Sequence, residues 1–235
     1  MCGIGGYIGI KDTEKRFKLV AAMGKGIDTR GQAMAGYISS TKDDLIHARR
    51  QGSWSSADDE FVMRAAHGDL CLMHSRAPGY GHPIDNAHPF PIVRNDKVVL
   101  WGAHNGSLHE ALASAKAHNR EMTVDSKELF ELLADNEIST LNNYHGWGVI
   151  EWVVASNTHE VRLSKLTSNS DLVAVEIEGG GTVWASTLHI LRNACDAAGL
   201  EVTAQYQLNE IGRVYVVDKD GLHPSDQTNV RLSGY

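Results

Sequence analysis

The pattern of apolar and polar positions predicts a chain built mainly of short strands. Short apolar stretches, alternating or continuous, are typical of strands whose faces pack on a core. They predict strands over residues 2–10, 34–39, 69–74, 98–101, 149–155, 161–165, 172–176, 182–185 and 213–217. A strand-rich chain with a few helices indicates an α+β fold.

Helical periodicity is confined to four segments. Apolar residues recur at helical spacing over residues 14–25, 107–117, 126–133 and 188–198. Asp125 precedes the third of these segments in an N-cap-like position.

The predicted elements follow one another without an obvious linker. Residues 42–67 mix charged and apolar side chains, so we expect a solvated connection there, with contact to a partner as an open alternative. No repeat, low-complexity tract or Pro/Gly/Ser-rich segment divides the sequence. We therefore expect one domain over residues 1–235.

Composition and charge reduce the number of function classes that fit the chain. The chain has 235 residues, of which 42% are hydrophobic, enough to bury a core. A net charge of −7 without basic clusters argues against nucleic-acid binding. The sequence has neither an apolar run of the ~20 residues that a membrane span needs nor a signal-like N-terminus. Three widely spaced cysteines, Cys2, Cys71 and Cys195, suggest no disulfide framework and favour a reducing, cytoplasmic setting.

Cys2 is the most informative residue for chemistry. Because its side chain is small, we expect Met1 to be removed, which leaves a mature chain of residues 2–235. Cys2 would then carry an α-amine and a thiol, whose pKa values in model peptides are ~7.7–8.0 and ~8.5. Such an amine can take the thiol proton at neutral pH, so one residue would supply nucleophile and base. The alternative is a small hydrophobic residue that begins a strand.

Motifs further along the chain have the order of one known family. They are Met1-Cys2-Gly3-Ile4-Gly5-Gly6, Arg30-Gly31 with Gly36, His74-Ser75-Arg76, His88-Pro89-Phe90, Asn105-Gly106, Asp125-Ser126 and Trp184-Ala185-Ser186-Thr187. Together they resemble the class II glutamine amidotransferases, which are N-terminal nucleophile hydrolases. Thr29, Ala33-Met34 and Ser107 depart from the usual pattern of that family. These departures surround the motif residues and bear on the subfamily and on pocket closure.

The resemblance implies a fold, a reaction and a partner. The fold is a four-layer αββα sandwich, with two mostly antiparallel sheets between helical layers. The reaction is hydrolysis of L-glutamine to glutamate and ammonia through a γ-glutamyl thioester on Cys2, without a cofactor. Since the sequence has no synthase half, we expect a separate synthase subunit to accept the ammonia.

The resemblance also assigns roles to residues of the site. Cys2 is the nucleophile, Asn105 and Gly106 form the oxyanion hole, Arg76 and Asp125 hold the substrate, and Arg30, Gly31 and His74 support the site. Arg76 would hold the α-carboxylate of glutamine and Asp125 its α-ammonium group. Taken singly, Asn105-Gly106 is also a turn signal, Arg76 a surface arginine and Asp125 a helix cap.

Two other functions stay open at this point. One is an amidohydrolase that acts on another γ-glutamyl or small amide and needs no partner. The other is a non-catalytic subunit that retains the fold and keeps Met1.

The histidines and the glycine-rich start invite two further hypotheses, which we set aside. His74, His82, His88, His104 and His109 crowd one region, but their spacing matches no metal-binding motif, so we predict no metal. The glycines after Cys2 lack a following Lys-Ser/Thr, so they do not form a phosphate-binding loop.

Overall fold

Two antiparallel β-sheets stack face to face, and helices cover their outer faces. The computed structural model describes residues 1–41, 45–78, 84–121, 124–226 and 230–232. Among the predicted residues, His82 lies outside these ranges.

The first sheet, sheet A, contains the strand that follows Cys2. In spatial order its strands are β11 (Val202–Gln207), β9 (Val173–Ile177), β10 (Thr182–Ala185), β1 (Gly3–Ile8), β4 (Leu70–Arg76), β2 (Met34–Ser40) and β3 (Leu45–Gln51). β1 is central and pairs antiparallel with β10 on one side and with β4 on the other. The start of β1 therefore lies beside the end of β4, where Gly3 pairs with Ser75.

The second sheet, sheet B, comes mostly from the second half of the chain. In spatial order its strands are β13 (Gly221–Pro224), β12 (Val214–Asp218), β8 (Asn157–Lys165), β7 (Gly146–Val154), β6 (Lys97–Leu108) and β5 (Phe90–Arg94). β6 is a long strand, and its pairing with β7 continues to the pair Leu108–Gly146.

Five α-helices and three short 3-10 helices lie in the described residues. They are α1 (Thr13–Asp28), α2 (Asp59–Ala65), α3 (Ala111–Ala117), α4 (Asp125–Ala134) and α5 (Leu188–Ala198), with 3-10 helices at Trp54–Ser56, Ile84–Asn86 and Ile138–Asn143. α1 begins after Asp12, whose carboxylate accepts the N–H groups of Glu14 and Lys15. α5 begins after the cap Thr187 and ends at Gly199, whose φ of 62° is a left-handed conformation that glycine adopts readily.

Three apolar cores separate four layers. One lies between the sheets and includes Ile4, Leu72, Trp184, Trp101, Val149 and Leu163. A second lies between sheet A and the helices α1, α2 and α5, and a third between sheet B and the helices α3 and α4. Burial of apolar area on both faces of each sheet holds the layers together. The predicted αββα sandwich is confirmed.

The predicted strands and helices are all present, with shifted ends, but one prediction about the connections is wrong. Residues 42–67 are not simply a solvated connection, because they include β3, a buried Trp54 and α2. Residues 42–44 lie outside the described ranges. The charged side chains of this segment obscured two regular elements in the sequence. They are β3, the edge strand of sheet A, and α2, whose apolar face packs on that sheet.

Two predicted helix starts are also wrong. The helix predicted from residue 107 begins at Ala111, because Ser107 and Leu108 pair with β7 as strand residues. Asp125 is the first residue of α4 rather than its cap, which is Val124. The sequence did not predict β5, β11 or β13.

No helix in the described part of the chain is both long and apolar enough to cross a membrane. The described residues also contain no group of three or more His, Cys, Asp or Glu side chains that could hold a metal ion.

Glu151 is a buried carboxyl group in sheet B. Its Oε2 accepts the indole N–H of Trp184 at 2.6 Å, and its Oε1 has no hydrogen-bond partner in the described structure. Burial raises the pKa of Glu151 well above its ordinary value, although the Trp184 hydrogen bond opposes this effect. The carboxyl group is therefore neutral in the folded chain at pH values where it ionises in the unfolded chain.

This burial predicts a pH-dependent effect of Glu151→Gln. Because the folded pKa is raised, the contribution of Glu151 to stability is full below its unfolded pKa and is lost as pH rises toward the folded pKa. The free energy of unfolding of Glu151→Gln minus that of the wild type should therefore rise with pH, by up to about 1.4 kcal/mol per unit. Urea unfolding at pH 5 and pH 7 measures it. An equal difference at both pH values would contradict the neutral carboxyl group.

Candidate active site

A cavity of about 220 Å³ lies at the end of the sandwich where β1 begins. Its lining residues come from both sheets and from the start of α4; they are Met1, Cys2, Arg76, Ala77, Pro78, His88, Gly106, Val124, Asp125, Ser126 and Trp147. It therefore brings together four of the predicted site residues, Cys2, Arg76, Gly106 and Asp125. A larger cavity of about 530 Å³ opens where β1 ends and contains none of the predicted site residues.

Cys2 directly precedes β1, and its thiol is held by the chain that follows β4. Its Sγ accepts the backbone N–H of Ala77 at 3.5 Å. Burial raises the pKa of the Cys2 thiol and the charge of Asp125 acts in the same direction, while the Ala77 N–H, the ammonium group of Met1 and Arg76 lower it. The Ala77 N–H and Arg76 therefore favour the thiolate, the form that acts as a nucleophile.

Arg30 and Gly31 support the backbone around Cys2. The Nε–H of Arg30 donates to the carbonyl oxygen of Cys2 at 2.9 Å. Gly31 packs against the backbone of Arg76 and Ala77 so closely that a Cβ at this position would collide with them. The turn after α1 therefore packs directly on the segment that carries Arg76.

Arg76 is the last residue of β4 and is partly buried. Its Nη1 lies 3.9 Å from the sulfur of Met34, and it forms no ion pair with any described residue. An arginine at the rim of a cavity without a carboxylate partner is free to bind an anionic group.

Asn105 and Gly106 lie within β6, opposite Val149 and Gly148 of β7. They do not form the turn that the alternative interpretation of this dipeptide predicted. Gly106 lines the cavity, whereas Asn105 is buried beside it and does not. The Oδ1 of Asn105 has no hydrogen-bond partner among the described residues.

Asp125 faces the cavity from the first turn of α4. Its Oδ2 accepts the backbone N–H of Leu108 at 2.9 Å, which ties the start of α4 to the end of β6. The carboxylate lies at a helix N-terminus, where the helix dipole favours a negative charge.

His74 is buried behind the cavity and is not part of its lining. Its ring stacks on that of His88, with 4.0 Å between the ring centroids. Burial lowers the pKa of His74 to about 3, so the ring is neutral at physiological pH. Burial likewise lowers the pKa of His88 well below its ordinary value.

Several residues that line or support the cavity were not predicted as site residues. His88 and Ser126 entered the sequence analysis only as parts of motifs, and Val124 and Trp147 did not enter it as site residues. Asp28 is the largest omission. It is buried, and its carboxylate accepts the N–H groups of Trp54 at 3.1 Å and Ser55 at 2.7 Å and the hydroxyl of Ser75 at 2.8 Å.

Asp28 joins the segments that carry Arg30 and Arg76. The hydroxyl of Ser75 is shared between the Asp28 carboxylate and the carbonyl oxygen of Gly31. The position of Asp28, two residues before Arg30, was the only signal in the sequence, and the partners of a buried carboxylate cannot be inferred from such a position.

Comparison with known proteins agrees with this architecture. The stacked sheets and the helical layers form a fold that two solved structures share. The allosteric regulatory enzyme of purine biosynthesis has a solved structure that matches with a TM-score of 0.74 at 18% identity, over 95% of this chain and 48% of that chain. A glutamine phosphoribosylpyrophosphate amidotransferase from B. subtilis, in complex with ADP and GMP, matches with a TM-score of 0.71 at 19% identity, over 97% of this chain and 50% of that chain.

Sequence comparison adds a curated relative. A glutamine–fructose-6-phosphate aminotransferase (isomerizing) from Clostridium tetani is 32% identical over 110 residues, which are 46% of this chain and 17% of that protein. No protein-family model matches the chain. The chain thus spans about half the length of the solved structures and about a sixth of the curated relative. The resemblance to the class II glutamine amidotransferases is confirmed.

Removal of the Asp28 carboxylate should destabilise the fold strongly. Asp28→Ala leaves the backbone N–H groups of Trp54 and Ser55 without an acceptor and removes one acceptor from the hydroxyls of Ser55 and Ser75. At ~1–3 kcal/mol for each unsatisfied N–H, we expect a loss of at least about 2 kcal/mol in urea unfolding. Asp58→Ala is the matched control, because the exposed Asp58 accepts a single N–H, that of Phe61, as the cap of α2. It should cost about 1 kcal/mol. Equal losses in the two variants would show that Asp28 does not join these segments.

Proposed function

We propose that the chain is a glutamine amidohydrolase that uses Cys2 as its nucleophile. The single observation that carries the proposal is the cavity at the start of β1, where a thiol, a guanidinium group and a carboxylate face one small space. Free glutamine presents an amide for the thiol, a carboxylate for Arg76 and an ammonium group for Asp125. An amide within a peptide chain has neither of these charged groups beside it, so the site favours a free amino acid.

The proposed reaction proceeds in two steps. Sγ of Cys2 attacks the γ-carbonyl carbon, and the oxyanion that forms is stabilised by the side-chain amide of Asn105 and the N–H of Gly106. The C–N bond then breaks, ammonia leaves with the proton that the thiol gave up, and a γ-glutamyl thioester remains on Cys2. Attack by water on the thioester releases glutamate and restores the thiol.

The α-amine of Cys2 is the proposed base in both steps. It becomes available only when Met1 is removed; Met1 is 67% exposed and belongs to the lining of the cavity. The mature chain would then be residues 2–235, which we take as one amidotransferase domain.

A separate synthase subunit is the proposed acceptor of the ammonia. Two relatives support an acceptor of this kind, because one is a glutamine phosphoribosylpyrophosphate amidotransferase and the other a glutamine–fructose-6-phosphate aminotransferase. If a partner is required, glutamine hydrolysis should rise when the synthase is added. A free-standing amidohydrolase would show broad turnover of γ-glutamyl amides that no added synthase changes.

The proposal is tested by intact mass before and after exposure to a glutamine-like diazoketone. We expect a mass that lacks Met1, one adduct per chain, and protection by L-glutamine. Cys2→Ala should gain no adduct, and Cys71→Ala, which removes a fully buried thiol, should react like the wild type. An unmodified wild-type chain that retains Met1 would favour the non-catalytic subunit.

Substitutions at the two charged residues should weaken substrate binding. Asp125→Asn removes the charge that would pair with the ammonium group, and Arg76→Lys removes the two-pronged contact with the carboxylate. We expect each to raise KM for L-glutamine at least about tenfold, which corresponds to about 1.4 kcal/mol. Initial rates over a range of glutamine concentrations measure the effect. An unchanged KM in both variants would contradict the proposed binding mode.

A further inference from the structure

Two hydrogen bonds attach β6 to the start of α4, one on each side of the Asn105-Gly106 dipeptide. Before the dipeptide, the Nδ1 of His104 lies 3.0 Å from the hydroxyl oxygen of Ser126. After it, the N–H of Leu108 donates to the Oδ2 of Asp125 at 2.9 Å. Two adjacent residues of α4 thus hold the strand segment that carries the proposed oxyanion hole.

The direction of the Ser126–His104 hydrogen bond follows from the other nitrogen of the ring. The Nε2 of His104 lies 3.3 Å from the carbonyl oxygen of Trp147, which can only accept. Burial lowers the pKa of His104, so the ring is neutral and carries one proton. That proton sits on Nε2, and the hydroxyl of Ser126 therefore donates to Nδ1 at 3.0 Å rather than to the more distant Oδ1 of Asp125 at 3.5 Å.

The imidazole of His104 is also fixed by the strands around it. A Cβ on Gly106 or on Gly148 would collide with Nε2 of His104, so two glycines on paired strands leave the space that the ring occupies. Gly148 has a φ of 147°, a conformation that favours glycine. A change in the position of the ring would therefore displace the backbone of Gly106.

We propose that Ser126 and His104 are positioning residues, which hold the Asn105-Gly106 segment at the distance from Cys2 that the oxyanion requires. This inference rests on the proposed function. The hydroxyl of Ser126 fixes the ring, the ring packs against the backbone of Gly106, and Gly106 lines the cavity. Asp125 holds the other end of the same segment through Leu108, so binding of the ammonium group and stabilisation of the oxyanion share one helix turn.

The test separates positioning from substrate binding by measuring kcat and KM for L-glutamine. Ser126→Ala removes the donor to His104, and we expect kcat to fall between about tenfold and about 100-fold because a small displacement of the hole is enough. KM should stay within about twofold of the wild type, since Arg76 is unchanged and Asp125 loses only a long contact of 3.5 Å with the Ser126 hydroxyl while it keeps its hydrogen bond with Leu108. Ser126→Thr keeps the hydroxyl and should restore most of kcat.

A matched control and a second variant keep the result specific. Ser114→Ala removes another buried serine hydroxyl, which donates to the carboxylate of Glu128 at 2.6 Å and does not line the cavity. This variant should leave kcat unchanged. His104→Phe keeps a ring but removes both nitrogens, so its kcat should fall as in Ser126→Ala. Because the two residues act as one unit, the double variant should be no worse than the worse single variant. Thermal unfolding of each variant shows whether it is folded.

Each outcome has one meaning. A kcat for Ser126→Ala equal to that of Ser114→Ala, or a rise in KM alone, overturns the positioning role. So does a failure of Ser126→Thr to recover activity when the variant is folded. A wild-type chain without Cys2-dependent hydrolysis of glutamine overturns the proposed function and this inference with it, and that result precedes any comparison of variants.

Discussion

The site depends on the face-to-face packing of the two sheets. Cys2 and Arg76 belong to the ends of strands in sheet A, Gly106 belongs to sheet B, and Asp125 belongs to the helix layer outside sheet B. The sheet-A and sheet-B groups of the site are far apart in sequence, so packing between the sheets sets their separation, through the apolar core and the Trp184–Glu151 hydrogen bond across it. A loss of packing there would displace the thiol from the proposed oxyanion donors before any site residue had changed.

The charge inside the site comes from few groups. Burial lowers the pKa values of His74, His88 and His104, so these rings add polar atoms but no charge near neutral pH. Arg76 and Asp125 at the cavity wall are then the charged side chains that a bound amino acid would meet. A neutral imidazole has one N–H donor and one acceptor nitrogen, so each hydrogen bond of His104 has a fixed direction. This fixes the geometry around β6.

The sequence was sufficient for the layers of the fold and for four of the residues that line the cavity. Cys2, Arg76, Gly106 and Asp125 stand in the motifs whose order matched a known family, and order along a chain is a property that a sequence displays directly. The extended conformation of Asn105-Gly106 was harder to predict, because Asn-Gly is a strong local turn signal. Pairing with β7 keeps the dipeptide extended. The strand within residues 42–67 could not be predicted for a similar reason. This segment has too few apolar residues to show a strand pattern, and β3 forms because sheet A is there to pair with it.

The contacts of Asp28 and Trp147 are examples of interactions that a single sequence does not predict. The importance of Asp28 lies in four donors that approach it from other segments, and Trp147 contributes a carbonyl oxygen that any residue would possess. Contacts of this kind carry no residue-type signature. They become visible only when distant segments are placed side by side.

The central place of β1 in sheet A has a consequence for the time at which the site forms. The N–H of Ile4 donates to the hydroxyl of Ser186, 182 positions later, and β1 pairs with β10 just before that serine. During synthesis one edge of the first strand therefore stays unpaired until most of the polypeptide has left the ribosome. Contacts this distant are formed late and slowly in folding. A growing chain would thus carry its cysteine for most of its synthesis without the surroundings that make the thiol useful, and chemistry would begin only once the whole sandwich had closed.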